Sequence, residues 1–185
     1  MVAVAASTGG PAALQVLLKD LPADLPVGLV IVQHMSEGFT EALAARLNTI
    51  SPLQIRVSAG LEPIQPGLAL LAPPGVHLIV RRIAGKIYAA LTPEPSHTLH
   101  RPSADVLFSS VAKTCGPAAC AVIMTGMGDD GARGMKEIRG QGGWTIAQDE
   151  ASSTIFGMPK AAIAESGVDL IVPLERIAKE IVRAL

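Results

Sequence analysis

The stretch VAVAASTGGPAALQVLL, residues 2–18, decides how the rest of the chain is read. An apolar strand, VAVAA, runs without polar alternation into Ser7-Thr8-Gly9-Gly10, and Pro11 then opens a helical pattern with Leu14, Leu17, Leu18 and Leu21 on one face. Proline is tolerated in the first helical turn, where its missing N–H is no loss, and the i, i+3, i+4, i+7 spacing marks a buried helix face. A strand of this kind belongs to an open parallel sheet, and such strands end at the crevice where ligands bind. The Ser7 hydroxyl therefore faces a site. Its setting suits a nucleophile and equally suits a phosphate cradle, so the choice rests on the rest of the chain.

Working outward, apolar strand patterns alternate with helical ones: VGLVIVQ, then EGFTEALAARLNTI; LQIRV and LALLAP; the helix SADVLFSSVAKT and strand ACAVIMT; a helix from about Ala132; WTIAQ; a helix after Met158-Pro159; DLIVP; and the closing helix LERIAKEIVRAL. This alternation predicts a doubly wound α/β fold, a mainly parallel sheet with helices on both faces. HLIVRRIAGKIYAAL, turning near Ala84-Gly85, is the one antiparallel hairpin expected, and the pattern on both sides of the loop that follows it is read as continuing the same sheet. Residues 91–103, LTPEPSHTLHRPS, form the one long stretch without periodicity and are read as a loop over the active edge of that sheet.

With 49% hydrophobic and 17% charged residues, 185 residues predict a single compact domain spanning 1–185. A net charge of −1 and scattered Lys and Arg offer no footprint for nucleic acid, and 3% aromatic content removes the stacking platforms of single-strand binders. Mean hydropathy is high at +0.42, yet no apolar run approaches the roughly 18–20 residues that span a bilayer. Membrane insertion is not expected, no signal peptide is recognisable, and the expected location is the cytoplasm. Cys115 and Cys120 lack zinc spacing and read as buried thiols.

Three strand ends carry candidate chemistry: Ser7; His34, after GLVIVQ; and Asp129-Asp130 in AVIMTGMGDDG. Taken singly, each is ordinary turn or cap chemistry. Neighbouring strand ends in a parallel sheet lie side by side, so the three together fit a nucleophile, a general base and an orienting acid. Gly9-Gly10, and Gly126 and Gly128 around Met127, permit close backbone approach and oxyanion donors. His77 lies in a strand pattern and reads as structural. His97 and His100, in the loop, are placed at the mouth of the site, and Met35, Met127 and Met158 are read as an apolar wall beside it. No metal site or cofactor is expected, and neither G-x-G-x-x-G nor the Walker lysine is present to favour the phosphate reading.

AASTGGP, VIVQHMSEGFTEALAARL, LAPPGVHL, RPSADVLF, VIMTGMGDDGARGM and WTIAQDEASSTIFGMPKAAI, in this order, closely resemble the catalytic domain of the chemotaxis receptor methylesterases, over residues 2 to about 174. The resemblance implies a Ser7, His34, Asp130 triad, with Thr8 and Met127 lining the site and supplying oxyanion contacts. It implies hydrolysis of glutamate γ-methyl esters on the cytoplasmic helices of methyl-accepting chemoreceptors, releasing methanol, and deamidation of receptor glutamines. The chain departs from the family pattern in Ala5-Ala6-Ser7, where Gly-Ala-Ser is usual. Regulated members also carry an N-terminal receiver domain, a partner that residues 1–185 do not include, so the chain is read as an excised catalytic domain or a receiver-less relative.

Overall fold

The computed structural model describes residues 1–185. In chain order the elements are β1 (Val2–Ala6), α1 (Gly10–Asp20), β2 (Leu29–Gln33), α2 (Thr40–Ile50), β3 (Gln54–Val57), β4 (Glu62–Pro63), β5 (Leu68–Leu71), β6 (His77–Ile83), β7 (Lys86–Thr92), α3 (Ala104–Cys115), a 3₁₀ turn (Gly116–Ala118), β8 (Cys120–Ile123), α4 (Ala132–Gly140), β9 (Trp144–Gln148), α5 (Met158–Ala164), β10 (Leu170–Val172) and α6 (Leu174–Ala184). Seven strands make one wholly parallel sheet in the order β10-β9-β8-β1-β2-β5-β3. The chain builds outward from β1 on one side, then returns to lay β8 against the other. The order reverses between β1 and β8, and the carboxyl ends of those strands frame the crevice of a doubly wound sheet.

β1, β2, β5 and β8 are buried along their whole length, as strands covered on both faces must be. Alternate side chains feed two separate cores. Val2, Val4, Leu29 and Ile31 pack with Leu14, Leu17 and Leu18 of α1, Leu43 and Leu47 of α2 and Ile177 and Ile181 of α6. Ala3, Ala5, Val30 and Val32 face Phe108 of α3, Met135 of α4 and Ala162 of α5, together with Leu78, Val80 and Ala89 of β6 and β7. The three α1 leucines are fully buried, each contributing about 1.5–3 kcal/mol. Ala5, the departure from the family's glycine, lies fully buried in the second core, its methyl accommodated.

The hairpin forms where the sequence predicts, turning at Ala84 and Gly85, but it does not extend the main sheet. β6 and β7 join the short β4 in a separate antiparallel sheet packed with α3. The cause lies in its surface: β6 buries only His77, Leu78 and Val80 fully, so it covers a core on one face and leaves Arg81 and Arg82 in solvent. A central strand needs both faces apolar. β4, two residues long, carries no periodicity from which it could have been predicted. The expected second helix begins at Thr40 rather than Glu37, since Gly38 adopts φ 88° ahead of it.

Candidate active site

Ser7 follows β1 and His34 follows β2. Because Ala6 pairs with Gln33 in the β1–β2 register, the two residues stand at the same level on adjacent strands. The backbone there is heavily pinned. Ser7 N–H donates to Thr125 O (3.0 Å), and Ser7 O accepts from Gly10 N–H (2.8 Å) and from the Gln33 side-chain amide (2.9 Å). The same Gln33 Nε2 donates to His34 O (2.9 Å), stapling the two strand ends together. Gly9 takes the left-handed φ of 82° that turns the chain from Ser7 into α1, a conformation that costs glycine nothing. A Cβ on Gly126 would lie 2.7 Å from the Ser7 Cβ and run into the Met158 sulfur, so only glycine lets the loop after β8 lie against Ser7.

Asp130 meets His34 through a 2.8 Å contact between Oδ2 and Nε2. The same carboxylate is seated on the N-terminus of α3: Ser103 Oγ (2.8 Å) and Asp105 N–H (3.0 Å) donate to Oδ1, and Ala104 N–H (2.7 Å) donates to Oδ2. Burial pushes the Asp130 pKa up, but the His34 contact and these donors outweigh it and hold the carboxyl at about 2. A carboxylate here also meets the positive end of the helix dipole. With Asp130 ionised it accepts, so His34 carries a proton on Nε2. The other ring nitrogen, Nδ1, is buried without a partner.

Asp129, next in line, is exposed and does not cap α4, whose N-cap is Gly131. Thr8 and Met127 are exposed, and their backbone N–H groups make no hydrogen bond within the protein. The three methionines do not form one wall. Met35 packs toward the α1/α2 core, Met158 is buried beneath Gly126, and Met127 projects into solvent.

The loop of residues 93–103 does lie over this edge. His100 stacks on the His34 ring, centroids 4.1 Å apart and planes 18° from parallel, and burial with the adjacent His34 lowers its pKa. His97 is exposed in the groove that runs from Asp130 between this loop and α3. His77 is fully buried at the start of β6. No three His, Cys, Asp or Glu side chains come together as a metal site. Cys115 and Cys120 are free buried thiols, and burial pushes the Cys120 thiol up to about 12. No helix is long and apolar enough to cross a membrane.

Sequence reasoning missed three supports of this edge: Gln33, Ser103 and Thr125. Ser103 was legible only as a helix cap. Gln33 reads as the last residue of an apolar strand, and Thr125, whose hydroxyl donates to Thr8 O (3.0 Å) and accepts from Ile155 N–H (3.0 Å), reads as a strand-end turn residue. What each one ties together is remote in sequence.

Residues 2–181 match the family model for the CheB methylesterase. The chain is 50% identical over 181 residues to a protein-glutamate methylesterase/protein-glutamine glutaminase of Rhizobium johnstonii, covering 98% of this chain and 49% of that one. It is 49% identical over 183 residues to the Moorella thermoacetica protein of that name, covering 98% and 43%. The chain thus spans about half the length of the curated relatives it matches. Its fold superposes on the crystal structure of the Thermotoga maritima CheB methylesterase catalytic domain with a TM-score of 0.96, at 34% identity, covering 100% of this chain and 97% of that one. The parallel sheet, its switch point beside Ser7 and the match along nearly every residue place the chain in the CheB methylesterase family.

Proposed function

We propose that the protein is a serine hydrolase that removes methyl groups from glutamate γ-methyl esters on chemoreceptor cytoplasmic helices, releasing methanol, and that it deamidates receptor glutamines by the same route. The observation that carries this reading is the His34–Asp130 contact at the switch point, with an unpartnered His34 Nδ1 at the level of Ser7. Because Nε2 is engaged by Asp130, Nδ1 is the nitrogen that takes the Ser7 proton. Catalytic hydrogen bonds often close only when substrate binds. Ser7 Oγ then attacks the ester carbonyl, Thr8 and Met127 N–H groups receive the oxyanion, and Asp130 stabilises the imidazolium. His34 returns the proton to the departing methoxide, leaving a glutamyl ester on Ser7. Water attacks this ester as Nδ1 takes its proton; the Ser7 hydroxyl is restored and a glutamate carboxylate is released. For glutamine the leaving group is ammonia.

A protein substrate suits the surroundings. Phe39, Leu99 and Met127, exposed by 61%, 91% and 73%, sit on the loops that carry His34, His100 and Asp130. Large apolar side chains left in solvent around a reacting centre favour contact with a macromolecule. A cytoplasmic location follows from a substrate on cytoplasmic receptor helices, and control by a receiver domain goes with relatives about twice as long as this chain. The test is methanol released from methylated receptor cytoplasmic fragments, with ammonia from unmodified glutamine sites as the second product. Methanol release that depends on Ser7 is expected; none above the Ser7→Ala background refutes the proposal.

A further inference from the structure

His77 is fully buried, takes no part in the chemistry above, and has both ring nitrogens engaged. Nδ1 accepts from Ser103 N–H at 3.1 Å, so the ring proton sits on Nε2. Nε2 donates to Pro95 O at 3.1 Å and lies 3.3 Å from Thr98 Oγ1. Burial lowers the His77 pKa, in keeping with a neutral ring that accepts on one side and donates on the other.

These partners lead to the two groups that hold His34. Pro95 and Thr98 anchor the loop that carries His100, which stacks on the His34 ring. Ser103 is the N-cap of α3, and its hydroxyl, with the Ala104 and Asp105 N–H groups, fixes the Asp130 carboxylate. One imidazole therefore ties the stacking partner of His34 and the seat of Asp130 to the rigid start of β6. A buried leucine in its place removes the His77 partner of both Ser103 N–H and Pro95 O.

We propose that His77 is a positioning residue for the reaction, setting the orientation of the His34 ring through Asp130 on one side and His100 on the other. This inference rests on the serine-hydrolase reading of Ser7, His34 and Asp130.

The test uses three variants. His77→Asn keeps an acceptor for Ser103 N–H, His77→Gln keeps a donor toward Pro95 O, and His77→Leu keeps neither. On a small activated ester, with active sites titrated by a fluorophosphonate, His77→Leu is expected to lose at least 10-fold in kcat with KM within about twofold. The Asn and Gln variants, which keep one tether each, should fall between Leu and wild type. If His77→Leu fails to fold, Asn and Gln carry the comparison. A merely structural role leaves kcat per titrated site unchanged, so Asn and Gln variants within twofold of wild type overturn the proposal. NMR provides a readout independent of turnover: the His34 ring-proton shifts, set in part by the stacked His100 ring, should move in all three variants. Unmoved shifts refute positioning whatever the turnover. Absence of Ser7-dependent turnover in wild type, with the shifts moving as expected, instead refutes the serine-hydrolase reading alone.

Discussion

Replacing Asp130 by Asn keeps the shape of the side chain and removes its charge, and the surroundings leave the amide no comfortable orientation. Each carboxylate oxygen accepts from a backbone N–H, Asp105 on Oδ1 and Ala104 on Oδ2. Whichever position the amide nitrogen takes, it faces one of these donors and orphans it. If the nitrogen replaces Oδ2, it also donates to His34 Nε2, moving the ring proton to Nδ1, where it blocks acceptance from Ser7. If it replaces Oδ1, the tautomer survives but the negative charge beside the imidazolium is gone. A charge at this range is worth about 4 kcal/mol at an effective dielectric near 20, or roughly 10³ in rate. Loss of the triad aspartate in serine proteases costs about 10⁴. The expectation for Asp130→Asn is therefore a fall in kcat of about 10³ with KM little changed, measured on a small ester and on methylated receptor fragments. Stability should also fall. A carboxyl held at about 2, well below its ordinary 3.8, corresponds to roughly 2 kcal/mol at neutral pH, read by urea unfolding. Asp129→Asn, at an exposed position that caps nothing, should keep near wild-type rate and stability. A folded Asp130→Asn protein within tenfold of wild type, or an equal loss at Asp129, refutes the reasoning.

Ser7→Ala should abolish turnover without loss of melting temperature, because Ser7 Oγ makes no hydrogen bond inside the fold; residual activity above one percent of wild type in the purified variant argues against the nucleophile. Gly126→Ala should cost both stability and rate, since the new methyl meets the Ser7 Cβ and the buried Met158 sulfur; calorimetry and ester assay on the same sample check this, and an unperturbed variant shows that the loop has room to move. Leu99→Ser should leave small-ester hydrolysis unchanged and lower kcat/KM on a receptor fragment by about 10-fold, whereas equal effects on both substrates count against a docking role. The depressed Asp130 pKa adds stability that is full above about pH 5 and is lost as pH falls toward 2; the gap in unfolding free energy between wild type and Asp130→Asn should therefore narrow by about 2 kcal/mol over that range. A constant gap excludes Asp130 as the linked group.

The fold class was legible from β1 and α1 onward, because burial on both faces of a parallel strand and on one face of a helix each leaves a periodicity in the chain, as in VAVAA and Leu14, Leu17, Leu18. Ser7, His34 and the Asp129-Asp130 pair could be singled out because strand ends in such a sheet share an edge. Local sequence carries no record of contacts between distant segments, and there the tertiary structure decided. It separated Asp130, seated on α3, from the exposed Asp129. It moved the hairpin into a sheet of its own, dispersed Met35, Met127 and Met158, and brought His100 onto His34 and His77 onto Ser103. Periodicity records which side of an element is buried; which remote partner fills that burial, and which nitrogen of His34 Asp130 leaves without a partner, follows from packing, which exists only once the whole chain has closed around it.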